Sequence, residues 1–569
     1  MKWKTIVVVA LALLVGFGVV LRLGTRLPQA PAHQVFINGT LLTMDADNRV
    51  VEAIAVRGDR IEAVGSTDEI MALVEDDTLV TDLRGRTMLP GFIDAHGHFP
   101  YSGMRVLGAD LNSPPVGQLT TMAEVLAALA EQAAITPAGD WVFGFNYDDT
   151  LLAEKRHPTR AELDAVSTQH PVVASHVSGH MMVANSLALE AIGVNAETPD
   201  PEGGVIGRLP GSTEPNGLLE ETARLPLMVA MQDVSLLDTY RLMKSAANEY
   251  SAVGVTTAQS GGVTPELATG LSLFSQLGVI PQRLILFPFE TEFGEELYNG
   301  GYDPADYATD RVVMGAVKLV ADGSIQGYTG YLSHPYHTPY HGDAQYRGYP
   351  SIPREKLFAQ VAALHEAGYQ IAIHGNGDES IEDILDAFEA AQRQHPVADP
   401  RMILVHSQMS REDQVARMKQ LGVTPSFFTA HTWYWGDRHR DIFLGPERAA
   451  VISPGKWALD YGLRFTSHMD TPVTPMLPLQ AVWSQVFRQT YGGDVLGPEQ
   501  RISVMEALRA VTIDAAWQVF QEDNRGSLEP GKYADLVVLS GNPLDDPMAM
   551  RDLAVEQTII GGATIYRLP

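Results

Sequence analysis

The stretch TMLPGFIDAHGH, residues 87–98, combines a short apolar run with two histidines at its end. Residues two apart on an extended strand point to the same side, so His96 and His98 can approach one ion. Seven more short apolar runs follow, separated by helical stretches, at residues 254–259, 283–289, 312–323, 369–375, 401–407, 423–428 and 463–470. Eight such β/α units predict an α/β protein with a (β/α)8 TIM-like barrel.

Polar residues of metal-ligand type stand at the ends of several of these runs. Barrel enzymes place their catalytic groups at the C-terminal ends of the strands. A single histidine at a strand end is more often an ordinary hydrogen-bonding residue, but here such residues recur at the same end of several runs. Neutral imidazoles and carboxylates are suitable ligands for zinc and similar divalent metals. The sequence therefore predicts a metal site with candidate residues His96, His98, His374, His406 and Asp470, and with Lys318 inside the fourth run.

The composition of the 569 residues excludes several classes of protein and of site. A hydrophobic content of 45% with 19% charged residues fits a globular protein with an ample core. The formal charge of -29 would repel phosphates, so we expect no nucleic-acid partner. The chain has no cysteine, which excludes disulfides, thiolate metal sites and a cysteine nucleophile. Any metal must be held by histidine, carboxylate or modified lysine.

The N-terminus has the layout of a secretory signal or a short membrane anchor, which we place at residues 1–32. Two lysines precede an uncharged apolar stretch, residues 6–21, and two arginines follow it. The stretch is shorter than the roughly 20 residues that comfortably span a bilayer, and small residues after it offer a cleavage site. We expect the catalytic body to be exported, periplasmic or otherwise extracytoplasmic, and attached to the membrane if this segment is not cleaved.

Strand-like segments with polar turns stand near both ends of the chain. Residues 33–86 alternate apolar and polar positions, and residues 520–569 repeat that texture. We expect these two distant segments to form one β domain. Residues 87–519 would form the barrel, with residues 99–250 as an insertion over its mouth, because this gap between runs is too long for one crossover helix.

Six motifs carry a resemblance to a known family: PGFIDAHGH, VKLVADGS, IHGNGD, VHSQ, HMDTPV and the closing GSLEPGKYADLVVL. Through them the chain resembles the amidohydrolase superfamily, and more closely amidohydrolase family 3, in the branch that includes N-substituted formamide deformylase. The likeness extends from about Gln34 to the C-terminus. It implies a (β/α)8 barrel with a composite β-sandwich made from both chain ends.

The resemblance also implies how the histidines divide between two ions. His96 and His98 would bind the more buried metal, and His374 and His406 would bind the more exposed one. The cofactor would be a divalent metal, by expectation zinc, as one or two ions.

Two further residues receive a role by the same resemblance. Asp470 would contact the metal and the attacking water and would act as the proton shuttle, although an aspartate before Thr-Pro is also a common helix cap. Lys318 would bridge both ions if its amine is carboxylated, since a carbamate supplies two anionic oxygens. The alternative is an unmodified ammonium that pairs with Asp322 or with a substrate carboxylate.

Two residues are candidates for contact with the substrate. His180, in a Ser-Gly-His segment, lies near the substrate in the family pattern, or is a satisfied histidine inside the insertion. Trp433 follows the seventh run and would wall the pocket, or packs as an ordinary aromatic residue. The chain departs from the family pattern at His468, which adds an imidazole two residues before Asp470.

The predicted function is hydrolysis of a non-peptide carbon–nitrogen bond in a small molecule, most simply an N-acyl or N-formyl amide, by metal-activated hydroxide. Because the same hydroxide attacks any polarised carbonyl, an esterase, lactonase or carbamate hydrolase is an alternative. A barrel that has lost catalysis and serves as a membrane-tethered binding protein is another alternative. Such a protein would be expected to lose ligands, whereas this chain keeps all six positions.

Overall fold

The computed structural model describes residues 27–230 and 234–569. Most of the segment predicted as a signal or anchor, residues 1–32, therefore lies outside the described residues. Within the described ranges, no helix has both the length and the apolar character needed to cross a membrane.

Two parallel sheets contain the eight predicted runs. The strands of the first sheet are Phe92–Ile93, Val255–Val263, Arg283–Pro288 and Val312–Met314. The strands of the second sheet are Val317–Val320, Ile371–Gly375, Met402–His406, Val423–Phe427 and Thr466–Ser467. Neighbouring strands follow chain order, which is the arrangement of repeated β/α units. The hydrogen bonds of the described strands trace these two sheets and not one closed ring of eight strands, so the closed barrel stays a prediction.

The central strands of the second sheet are buried on both faces. Every residue of Ile371–Gly375, Met402–His406 and Val423–Phe427 is buried. Such continuous apolar runs are typical of a parallel sheet covered by helices. A polar residue near the end of one of these strands, such as His406, is therefore held away from bulk water.

The fourth run is divided between the two sheets. The amide of Gly315 donates to the carbonyl oxygen of Leu286, whereas the amide of Val317 donates to the carbonyl oxygen of Gln370. The chain thus changes partner strands within the run. A Cβ at position 315 would lie 2.6 Å from the ring of Phe287, so glycine is needed for this close approach. A single bridge between Phe289 and Lys318 links the sheets across the break.

Both ends of the chain meet in one six-stranded sheet. Its strands, in spatial order, are Ala563–Arg567, Val555–Ile560, Leu536–Leu539, Thr87–Pro90, Thr40–Leu42 and Val50–Val51. A four-stranded sheet of Arg60–Gly65, Ala53–Arg57, His33–Ile37 and Leu79–Asp82 completes the N-terminal part.

The first run differs from its prediction as a single barrel strand. Thr87–Pro90 pairs antiparallel with Leu536–Leu539, and only Phe92–Ile93 joins the parallel sheet. The chain crosses between the sheets at Gly91, where a Cβ would lie 2.2 Å from the side chain of Thr256. A domain boundary after residue 86 would therefore separate a strand from the sheet in which it pairs.

The residues between the first two runs contain a sheet of their own. Its strands are Gly204–Arg208, Pro215–Glu221, Met181–Ala184, Val172–His176, Val142–Tyr147 and Ala109–Asp110. All six lie inside the predicted insertion, residues 99–250. This sheet is called the insertion sheet below.

Helices of the described residues connect and cover these sheets. Helix Asp378–Gln394 buries Ile381, Leu385 and Phe388, at helical spacing, in the same core as Leu404. The helix bounds are Thr67–Met71, Met122–Ile135, Arg160–Val166, Ser186–Ala191, Leu225–Ala230, Leu236–Ala252, Pro265–Gln276, Glu290–Phe293, Glu296–Asn299, Arg354–Glu366, Asp378–Gln394, Glu412–Leu421, His431–Arg438, Pro446–Ala449, Gly455–Asp460, Pro478–Phe487, Val504–Arg509 and Ile513–Gln518.

A buried ion pair between Arg283 and Asp535 generates a stability prediction, because it ties the parallel sheet to the C-terminal segment. Arg283 Nε lies 2.8 Å from Asp535 Oδ2, and both side chains are buried. Asp535→Ala leaves the guanidinium buried without its partner, so we expect a loss of about 3 to 5 kcal/mol in the free energy of unfolding, measured by chemical denaturation. Glu202→Ala, which removes the exposed partner of Lys356, is the control and should change stability little. Equal effects of the two substitutions would contradict the assignment.

Candidate active site

Three predicted ligands converge after the first and last strands of the parallel sheets. Asp470 Oδ1 lies 3.2 Å from His98 Nε2 and 3.6 Å from His96 Nε2. One ligand atom from each of these residues falls within 4.8 Å of the others, which is compatible with a shared metal ion. His96 and Asp470 are buried, and His98 is partly exposed.

Lys318 joins this group through His96. Its Nζ lies 3.2 Å from His96 Nε2, and the side chain is almost fully buried. Burial lowers the pKa of Lys318 to about 7. The alternative partner Asp322 is occupied elsewhere, because its carboxylate accepts hydrogen bonds from backbone amides, among them those of Asn376 and Gly377 at 2.9 and 2.8 Å. Asp322 thus holds the turn after His374 and does not pair with Lys318.

His374 and His406 complete the cluster. Their ring centroids are 4.4 Å apart, and the ring of His406 lies 5.5 Å from that of His96. His374 Nε2 also lies 3.0 Å from the carbonyl oxygen of Gly323. The structure therefore brings all six predicted ligands into one buried region.

The protonation states in this region suit metal binding. Burial lowers the pKa values of His96, His374 and His406 well below their ordinary range. Burial raises the pKa of Asp470, but the hydrogen bond from His98 holds it below its usual value. Neutral imidazoles and an ionised carboxylate are the forms that coordinate a divalent metal, so this donor set fits such an ion.

Two polar residues outside the predicted ligand set orient its histidines. Gln259 Oε1 lies 2.9 Å from His96 Nδ1, and since an amide oxygen only accepts, the ring donates from Nδ1 and keeps Nε2 for a metal. His468 Nε2 lies 3.1 Å from His406 Nδ1. The other ring nitrogen of His468, Nδ1, lies 2.9 Å from the hydroxyl oxygen of Ser426. Sequence reasoning noted His468 but missed Gln259, whose only signal was its place at the end of the second run.

Two of the ligand positions have unusual backbone geometry. His406 has φ 67° and Asp470 has φ 54°, and neither is glycine. This left-handed region is uncommon for residues with a Cβ and is enriched at functional sites. The backbone therefore turns both side chains in directions that a regular strand would not give.

The two residues predicted to contact the substrate, His180 and Trp433, lie in different surroundings. The ring of His180 lies 5.1 Å from that of His374, so the insertion reaches the site. The ring of Trp433 instead packs against Trp483 at 5.3 Å and Tyr491 at 5.5 Å, away from the histidines. The prediction for Trp433 as a pocket wall is not supported by these contacts.

Helical geometry explains the different placement of Trp433. In helix His431–Arg438, residues 431 and 435 lie on one face and residue 433 points elsewhere. Trp435 packs against Phe428 at 6.2 Å, and Phe428 lies 5.4 Å from His468. Trp435, one helical turn after His431, is thus linked to the site through Phe428.

A second group of ligand-type side chains, Asp148, Asp149 and His176, lies in the insertion. Its atoms already have protein partners. Asp148 accepts hydrogen bonds from the side chains of Trp435 and Arg438 at 3.2 and 2.6 Å. His176 lies between Asp149 and a serine hydroxyl. These contacts tie the insertion to helix His431–Arg438.

The chain is similar to several known proteins over most of its length. N-substituted formamide deformylase of Arthrobacter pascens is 31% identical over 94% of this chain and 98% of its own length. Protein LONG AFTER FAR-RED 3 of Arabidopsis thaliana is 30% identical over 94% of this chain and 92% of its own. The crystal structure of an uncharacterized metal-dependent hydrolase from Pyrococcus horikoshii superposes with a TM-score of 0.72, covering 90% of this chain and 98% of that one at 24% identity, and supports the fold.

The sequence pattern that defines the amidohydrolase family matches residues 79–566. That range includes all six clustered residues and both parallel sheets. The chain therefore belongs to the amidohydrolase family and is a hydrolase that acts on carbon–nitrogen bonds.

Proposed function

We propose that this protein is a metal-dependent hydrolase of a small N-acyl or N-formyl amide, which is not a peptide. The observation that carries the proposal is the convergence of six ligand-type side chains in one buried region, described above. The similarity to N-substituted formamide deformylase, which spans nearly the whole chain, supports the amide as substrate class. A formyl or acyl carbon on nitrogen is the electrophile that such a site would serve.

We assign the ligands to two ions, with zinc as the expected metal. His96 and His98 would hold one ion, and His374 and His406 the other. Lys318 would bridge them after carboxylation, which requires a neutral amine, and burial favours that form. A divalent cation at such a site lowers the pKa of water and polarises a carbonyl group.

The chain's own residues would move the proton and hold the substrate. Asp470, 3.2 Å from His98 and buried, would take a proton from the attacking water and deliver it to the leaving nitrogen. His180, beside His374, would form a hydrogen bond with the substrate. The burial of Asp470 and of His374 limits contact with bulk water and strengthens both interactions.

We also propose that the two parallel sheets belong to one (β/α)8 barrel with the insertion over its mouth. Two backbone hydrogen bonds between the first and last segments support closure: His98 N to Thr471 O at 2.8 Å, and Asp470 N to His96 O at 3.3 Å. The six-stranded sheet from both chain ends would form half of a composite β-sandwich with the N-terminal four-stranded sheet.

Export is a further part of the proposal. It rests on the two lysines, the apolar residues 6–21 and the two arginines at the N-terminus. Whether the catalytic body stays attached to the membrane depends on cleavage of this segment.

The first test concerns the metal. We expect divalent metal in active purified protein, measured by inductively coupled plasma mass spectrometry, and its loss in the His96→Ala, His98→Ala double variant. Amide hydrolysis should fall more than about 100-fold in this variant, because neither water nor carbonyl is then activated. His395→Ala, at an exposed histidine, is the control. Active wild-type protein without metal, or a fully active double variant, would refute the proposal.

The second test concerns Lys318. Protein prepared with carbon-13 bicarbonate should give a carbamate carbon signal by NMR, and Lys318→Gln should lack it and bind less metal. Lys419→Gln, which changes a lysine outside the site, should keep the signal. Active, metal-loaded wild-type protein without a carbamate signal would show that Lys318 is not carboxylated.

The third test separates proton transfer from metal binding. Asp470→Asn keeps the shape of the side chain but cannot shuttle the proton, so kcat should fall about 100- to 10,000-fold. The five other predicted ligands should still retain metal. Asp460→Asn, at an exposed aspartate, should leave kcat unchanged.

The rates are measured on formyl and acyl amides beside the matching ester, lactone and carbamate. A preference for an oxygen leaving group would point to the esterase alternative.

A further inference from the structure

His180, in the insertion, packs on the predicted metal ligand His374 while keeping one ring nitrogen available. Its Nδ1 lies 2.8 Å from Glu221 Oε2. A carboxylate only accepts hydrogen bonds, so Nδ1 carries a hydrogen whether the ring is neutral or charged. In the described ranges 27–230 and 234–569, Nε2 of His180 has no hydrogen-bond partner.

We propose that Glu221 is a positioning residue, which fixes the ring of His180 so that Nε2 is the atom offered to the substrate. This inference rests on the proposed function for its substrate class. It assigns to the insertion a direct part in substrate binding, through a carboxylate that sequence reasoning did not single out.

The burial of Glu221 supports this role. The side chain is only 4% exposed, and His180 is its sole ion-pair partner among the described residues. A buried carboxylate without a compensating partner is costly. The second oxygen, Oε1, is buried and has no hydrogen-bond partner in the described part of the chain. The contact with His180 is therefore the main interaction that accounts for an acid at this place.

The backbone of Glu221 is also directed toward His180. Its amide donates to the carbonyl oxygen of His180 at 2.8 Å, and its φ of 50° lies in the left-handed region. A glutamate gains nothing from that conformation by itself, so surrounding contacts must enforce it. The result is that backbone and side chain of Glu221 both contact the same residue.

A separate set of hydrogen bonds holds the backbone of His180. Ser178 Oγ accepts from the amide of His180 at 3.2 Å and lies 2.8 Å from His176 Nδ1. His176 Nε2 in turn lies 3.0 Å from Asp149 Oδ1. Gly179, between Ser178 and His180, has φ 73°, which glycine adopts without strain. The turn that presents His180 is thus held independently of the Glu221 side chain, so loss of that carboxylate should free the ring without unfolding the turn.

The neighbouring glutamate provides a matched control. Glu220 is buried at the end of the same strand, but its carboxylate accepts from Tyr340 and Tyr349 at 3.4 and 3.3 Å. It is placed away from His180 by the alternation of side chains along a strand. Glu220→Gln and Glu221→Gln therefore make the same chemical change one residue apart.

The test is a double-mutant cycle of Glu221→Gln and His180→Ala, with metal content and thermal unfolding recorded for each variant. We expect Glu221→Gln to lower kcat/KM about 10- to 100-fold with metal retained. In the His180→Ala background the same change should have less than about a 2-fold effect, because Glu221 acts through that ring. Glu220→Gln should stay within about 2-fold of wild type. Equal effects of Glu221→Gln in both backgrounds, or an equal loss with Glu220→Gln, would overturn the inference.

A second measurement keeps this inference separate from the proposed function. If the wild type cleaves an ester and no amide, the proposed substrate class fails, and the cycle is run on that ester. Independently of any substrate, nitrogen-15 histidine NMR should show a protonated Nδ1 for His180, assigned by its absence in His180→Asn. This signal should change in Glu221→Gln and not in Glu220→Gln. An Nδ1 without hydrogen in the wild type would refute the positioning role.

Discussion

Burial of several polar side chains at one end of two parallel sheets is the constraint on which the rest of the structure depends. Burial of polar and charged groups costs free energy unless they find partners. Here burial favours neutral imidazoles and a neutral Lys318 amine, while Asp470 stays ionised beside His98. Gln259 and His468 support two of the rings from behind. A cluster held in this way keeps its nitrogen and oxygen atoms available for a cation.

The insertion is as much a part of the site as the parallel sheets. Asp148 contacts the helix after the seventh run, and Asn146 Nδ2 donates to the carbonyl oxygen of Pro472 at 3.2 Å, two residues beyond Asp470. These contacts fasten the insertion at two points around the ligands. Because it is fastened there, the insertion brings His180 beside His374.

Local pattern and long-range packing contributed differently to what could be predicted. The histidines that end apolar runs were recognisable because strand length and the alternation of side chains are local properties. The sequence left two alternatives open for Trp433, because the orientation of a short helix after a strand depends on what its other face buries. The division of the first and fourth runs between two sheets could not be predicted either. The glycines at positions 91 and 315 permit a change of partner strand only when the partner strands are already in place.

The sequence by itself determined the α/β class, the family and the ligand-type residues, because these follow from residue identity and spacing along the chain. Only the tertiary structure decided which residues contact the imidazoles of the cluster and of His180. Gln259, Glu221 and the pairing of His468 with His406 join segments that are far apart in sequence. Hydrogen bonds of this kind depend on distances between folded elements, and no periodicity in the chain records those distances. The six clustered residues could thus be named from sequence, whereas the means of orienting them became visible only in the fold.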